Sequence, residues 1–88
     1  ILKMIDVNAE VFSPYYDVQG RKYIDLIYDQ TVTRVKIPFR YNRVMCTVHG
    51  LKTIQEYQKG DKVHVLISER GWNNEVHPVL CSIREITS

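Results

Sequence analysis

Alanine is nearly missing from this 88-residue sequence, occurring once, at Ala9. A chain so poor in the best helix former is not built mainly of helices. Cysteine is scarce as well. Cys46 and Cys81 show no Cys-x-x-Cys and no Cys/His ligand spacing, which argues against a zinc module and a disulfide-stapled scaffold. The three histidines, His49, His64 and His77, lack HxxxH or HExxH spacing. The four glycines, Gly20, Gly50, Gly60 and Gly71, stand singly, so no Gly-rich loop is present to cradle a phosphate. No serine lies in a GxSxG context, and the carboxylates are scattered singly. The expectation is a non-enzymatic protein with no catalytic residue, no metal and no cofactor. The apolar runs fall far short of the ~20 residues of a membrane-spanning helix, and the opening residues do not read as a basic, apolar leader.

What remains is rich in strand formers. Val, Ile, Tyr, Thr and Phe recur, and hydrophobic and charged contents of 44% and 25% are ordinary for a globular chain. The length suits one domain, 1–88, which at this size buries roughly 60% of its unfolded surface and has little room for a large enclosed active site. Met4 to Phe12 alternates, with Ile5, Val7, Ala9 and Val11 on one face, the period of a half-buried strand. Ser13 to Gly20 carries Pro14, Asp17 and Gly20 and reads as a loop. Arg21 to Tyr28 is a second strand, and Asp29 and Gln30 connect it to Thr31 to Ile37. A further strand is expected over Arg43 to His49, with Val44, Cys46 and Val48 inward. Leu51, Ile54 and Tyr57 then recur every third residue, which predicts one or two helical turns ending at Gly60. Lys62 to Ser68 alternates again, Gly71, Asn73 and Asn74 mark a hairpin turn, and Pro78 to Ile86 closes the chain with Val79, Cys81 and Ile83 inward. The two cysteines read as small buried hydrophobes rather than as a reactive thiol, and a disulfide between them is geometrically possible but not implied.

This order predicts an all-β fold: a small five-stranded, OB-fold-like Greek-key barrel with one short helix between strands 3 and 4. A small SH3-like barrel is the structural competitor, though it does not usually place a helix there.

Charge separates along the chain. The formal net charge is +2, yet the segment from Gln30 to Gln55 has five basic residues, Arg34, Lys36, Arg40, Arg43 and Lys52, and no Asp or Glu. It carries +5, leaving −3 for the rest. Phe39 and Tyr41 are interleaved with the arginines. Cations spaced along a groove meet phosphates, and flat rings stack on unpaired bases. The plainer alternative has Arg34 and Lys36 solvating an exposed strand while Phe39 packs in the core. Trp72, at the tip of a hairpin, is placed either to stack on a partner or to fold over the barrel mouth. Tyr15 and Tyr16 raise the same question, and Tyr23 and Tyr28 suit core, surface or platform.

The run Arg40-Tyr41-Asn42-Arg43-Val44-Met45-Cys46-Thr47-Val48-His49-Gly50-Leu51, followed by Lys59-Gly60-Asp61-Lys62-Val63-His64-Val65, resembles bacterial and phage single-stranded-DNA-binding proteins. Arg70-Gly71-Trp72 is similar to the Arg-x-Trp of their next hairpin. The resemblance implies that Tyr41 and Trp72 are stacking aromatics. It implies also that Arg34, Lys36 and Arg40 lie in the loop between the second and third strands, which tracks phosphates. Implied too are a homo-oligomer or a part of a larger assembly, a role in replication, recombination or repair, and a cytoplasmic or nucleoid location. Residues 1–88 themselves include no acidic, hydrophobic-tipped tail of that family's kind.

The expected function is therefore binding of single-stranded nucleic acid, DNA before RNA, through Arg34, Lys36, Phe39, Arg40, Tyr41, Arg43 and Trp72. The rival is an OB-fold module for protein interaction or assembly, whose basic strand meets an acidic partner and whose edge strands pair between subunits.

Overall fold

Seven strands and a single 3₁₀ turn make up the computed structural model, which describes residues 3–38, 44–47 and 50–86, with the backbone alone at 44–47, 50–53 and 72. The strands are β1 (Lys3–Val18), β2 (Arg21–Tyr28), β3 (Thr31–Ile37), β4 (Val44–Thr47), β5 (Gly50–Thr53), β6 (Lys62–Trp72) and β7 (Glu75–Glu85). Five of them close a barrel in the order β1-β2-β3-β7-β6, with β1 and β6 antiparallel and β3 and β7 parallel at Lys36↔Val79. The chain is thus all-β, a five-stranded OB-like barrel.

The barrel is a consequence of alternation. Each strand sends every second residue inward, and Val11, Ile24, Leu26, Val35, Ile37, Val63, Val65 and Ile67 form the dry centre. Burying one such side chain contributes about 1.5–3 kcal/mol. Strand β1 pairs with β6 over Lys3 to Glu10 and with β2 over Glu10 to Val18, so one long strand wraps two neighbours. It bends through register shifts between Val11 and Ser13 and between Ser13 and Tyr16. Pro14, which has no N–H to give a ladder, lies within the second irregularity. The expected loop from Ser13 to Gly20 is therefore mostly strand, and the turn shrinks to Gln19 and Gly20.

That turn and the two at Asp29–Gln30 and Asn73–Asn74 each place two successive residues at positive φ. This is the twist that joins adjacent antiparallel strands through two residues. The hairpin at Asn73 and Asn74 is as the sequence predicts, while β7 starts earlier than expected, at Glu75, and carries Pro78 within it.

Two expectations need correction. The strand predicted at Arg43 to His49 is not part of the barrel: its described portion, Val44–Thr47, pairs with Gly50–Thr53 in a separate two-stranded sheet. The third barrel strand is Thr31–Ile37. The helix predicted after Gly50 is reduced to a 3₁₀ turn, Ile54–Glu56. Thr53 and Ile54 are β-branched and favour a strand, and the Ile54/Tyr57 spacing that suggested a helix equals one 3₁₀ turn of three residues. Both side chains are buried beneath the barrel. The following bend is tied to β1: Gly60, at φ +94, donates its N–H to Val11 O (2.8 Å), and Val11 donates to Asp61 O (2.9 Å). The Asp61 carboxylate accepts the Gln58 N–H at 2.9 Å.

A third correction concerns phase. Strand β7 pairs Leu66↔Ser82 and then Ile67↔Leu80, so Cys81 is the extra residue of a bulge. Leu80 takes the inward place expected of Cys81, whose side chain is half-buried. The Cys46 side chain lies outside the described residues.

Candidate nucleic-acid interface

The outer surface of the barrel has two electrostatically different sides. On the β1–β6 side the charges are paired across strands: Lys62 with Glu10, Lys3 with Glu69 at 3.8 Å, and His64 Nε2 with Asp6. His64 Nδ1 also faces Asn8 Oδ1 at 2.6 Å. On the β2–β3 side the cations outnumber the acids.

The tight turn at Asp29–Gln30 fixes the β2–β3 register at Tyr28↔Thr31, which sets Asp25 opposite Arg34 and Tyr23 opposite Lys36. The β1–β2 ladder sets Tyr16 opposite Tyr23. Since Ile24, Leu26, Val35 and Ile37 point inward, these intervening residues share the outer face. Tyr16 and Tyr23 have ring centroids 5.7 Å apart at 32°. The Arg34 guanidinium carbon lies 5.3 Å from the Tyr23 centroid and 5.8 Å from that of Tyr16. The Tyr16 hydroxyl donates to Asp25 Oδ1 at 2.8 Å, and Arg34 Nε is 4.0 Å from the same oxygen. Arg34 is mostly exposed, so its ion pair with Asp25 adds little stability. Its geometric effect is larger, because two rings and a carboxylate hold the guanidinium plane in one place.

Burial, and then the hydrogen bond to Asp25, push the Tyr16 hydroxyl above its ordinary value of 10.0, with Arg34 opposing. A hydroxyl kept protonated by the fold contributes stability that is complete below the unfolded value and is lost as pH rises through the folded one. The barrel should therefore lose stability above about pH 10, and Tyr16→Phe should make that decline shallower in thermal melts across the alkaline range. An unchanged slope would mean that the hydroxyl is not held by Asp25.

Beside this network, Arg21, Tyr23, Arg34, Lys36, His77 and Pro78 line a cleft of ≈350 Å³. A second cleft of ≈260 Å³ adjoins it, sharing Arg21 and Lys36 and adding Gly20, Lys22, Ile37, Pro38, Arg70 and Val79. Together they form a groove across β2, β3, β7 and the end of β6, bounded by the β1–β2 turn and the β6–β7 hairpin. Five cations, Arg21, Lys22, Arg34, Lys36 and Arg70, line it. In the β6–β7 ladder Arg70 faces His77 and Trp72 faces Glu75, which puts the Trp72 backbone at the hairpin end next to the groove.

Of the residues predicted from sequence, Arg34 and Lys36 lie in the groove, on strand β3 rather than on a loop between barrel strands. Phe39, Arg40, Tyr41 and Arg43 lie outside the described residues, as does the Trp72 side chain. Sequence reading did not place Arg21, Lys22, Arg70 or His77 in the site, although Arg70 belongs to the Arg-x-Trp pattern, and left Tyr16 and Tyr23 undecided. They come from separate stretches of the sequence and are gathered only by strand pairing. The signal was available for Tyr23 and Asp25: with a two-residue turn at Asp29–Gln30, their cross-strand partners follow by counting outward.

Among the described residues no group of three or more His, Cys, Asp or Glu is placed to hold a metal ion, and no helix is long and apolar enough to cross a membrane. Fold and site together define an OB-like barrel with a basic groove on its β2–β3 face. Comparison with protein-family models, curated proteins and solved structures finds no significant match.

Proposed function

We propose that this chain binds single-stranded nucleic acid, DNA before RNA, without catalysis, along the groove formed by β2, β3 and β7. The observation that carries the reading is the coincidence of five cations and two tyrosines on one face. This is the strand 2–3 face that OB barrels present to oligonucleotides, flanked by the two hairpin loops that such barrels use. Phosphates meet Arg21, Lys22, Lys36 and Arg70. Bases stack on Tyr23 and on the fixed Arg34 plane, with Trp72 adding a further ring from the hairpin. Recognition by charge and stacking is tolerant of sequence, because every base has a flat face. The resemblance to the single-stranded-DNA-binding proteins of bacteria and phages supports the same reading.

The test is a titration of intrinsic tryptophan fluorescence, reported by Trp72, with poly-dT at several salt concentrations. Binding is expected at micromolar protein in low salt. Single-stranded ligands lose about 0.7 in log K per log salt for each phosphate neutralised, so the four phosphate-facing cations set a slope of about −2.8. Absence of binding in low salt would remove the proposal and favour the protein-assembly alternative.

A further inference from the structure

The groove is not a uniform trough. It is two clefts with a shared wall, and the residues of that wall are Arg21 and Lys36. Resting on the reading above, we propose that the two clefts are successive nucleotide subsites and that Arg21 and Lys36 clasp the phosphodiester joining the two nucleotides.

The chemistry of each part differs in the way this requires. The first cleft has flat faces: the Tyr23 ring, the Pro78 ring and the Arg34 guanidinium. Arg34 is engaged by Tyr16, Tyr23 and Asp25, so it presents a plane to a base more readily than a point charge to a phosphate. The second cleft has the half-buried Pro38 as its apolar wall, over the largely buried edges of Ile37 and Val79, with Lys22 and Arg70 beside it. A base lies against that apolar lining, and its onward phosphate meets Lys22 or Arg70. Between the two, Arg21 starts β2 and Lys36 nears the end of β3, on the same outer face but offset by two residues, since Lys36 pairs with Tyr23 and Ile37 with Lys22. Such diagonal neighbours, about 7–8 Å apart, stay within reach of each other for side chains as long as these two. At ≈350 and ≈260 Å³ each cleft suits one small group, the first at the foot of the range of about 300–1,000 Å³ usual for ligand pockets and the second just below it.

The experiment compares four probes by NMR shift titration at low salt: thymidine 5′-monophosphate, the dinucleotide TpT, the same dinucleotide with an uncharged methylphosphonate linkage, and a dT15 oligonucleotide. One charge-assisted contact is worth roughly tenfold or more. TpT should bind about tenfold more tightly than the monophosphate because it adds a second base to stack, and the methylphosphonate dimer, which lacks the charge on the linkage, should bind about tenfold more weakly than TpT. Arg21→Ala should erase the difference between the two dimers, while Tyr23→Ala should weaken both equally and keep it. Equal binding of the charged and uncharged dimers, with dT15 still bound, overturns the subsite arrangement but leaves the nucleic-acid reading standing. Failure of dT15 to bind overturns both.

Discussion

Replacing Arg34 and Lys36 together by glutamate should weaken poly-dT binding by more than about a hundredfold at low salt, since the pair loses the phosphate contact of Lys36 and the stacking plane of Arg34, each worth roughly tenfold. The two residues stand on the outer face of β3 beside the cleft, and the reversal introduces two anions where a phosphate backbone must lie. The loss should be local rather than a matter of net charge. Lys3→Glu with Lys62→Glu makes the same change in total charge on the β1–β6 side and, compared at about 0.1 M salt, should cost less than about tenfold, because screening at a Debye length of about 10 Å isolates distant surface charges. The barrel itself should survive the groove reversal. Both side chains point away from the core, and the Arg34–Asp25 pair is long, with Arg34 mostly exposed. Circular dichroism would show the strand content kept. If both double variants weaken binding alike, the groove is not the interface.

The second large effect concerns the fold. Tyr57 is the bulkiest of the fully buried side chains and follows the 3₁₀ turn that packs under the barrel. Truncating an aromatic in such a place costs about 3–5 kcal/mol, against a total stability of about 5–15 kcal/mol for a domain. Tyr57→Ala should therefore lower the thermal midpoint by at least about 12 °C. The effect should reach binding only through unfolding, since Tyr57 does not line the groove. A fall of only a few degrees would mean that the turn is not a structural plug.

The barrel was legible wherever alternation was regular. Ile24 and Leu26, Val35 and Ile37, and Val63, Val65 and Ile67 point inward as their two-residue period predicts. It was hidden where the period breaks. The bulge that skips Cys81 cannot be read from residue type, because Val79, Cys81 and Ile83 keep a plausible alternation and only pairing with β6 exposes Leu80 as the core residue. The helix was over-read because a spacing of three fits a 3₁₀ turn as well as an α-helical one. The barrel's third strand was displaced because two strand-like runs, Thr31 to Ile37 and Arg43 to His49, compete for one place. Only the parallel contact of Lys36 with Val79 decides between them.

The candidate site was legible in its charge and hidden in its assembly. The acid-free run led to Arg34 and Lys36, two of the five groove cations. Arg21 and Lys22 belong to a stretch with Asp17, Asp25 and Asp29 nearby in sequence, so linear charge counting averages them away. In three dimensions the two hairpin registers and the β3–β7 seam bring them beside Lys36, while Asp25 turns to Tyr16 and Arg34. Segregation of charge along the chain thus understated its segregation on the surface.

The most direct measurement is the map of amide and side-chain chemical-shift changes on adding dT15 to isotope-labelled protein. The changes should concentrate at Arg21 to Tyr23, Arg34 to Lys36, Arg70 and the Trp72 indole, with Asp6, Asn8 and His64 on the β1–β6 side left unmoved. Changes centred on Asp6, Asn8 and His64, or none at all in low salt, would contradict the account.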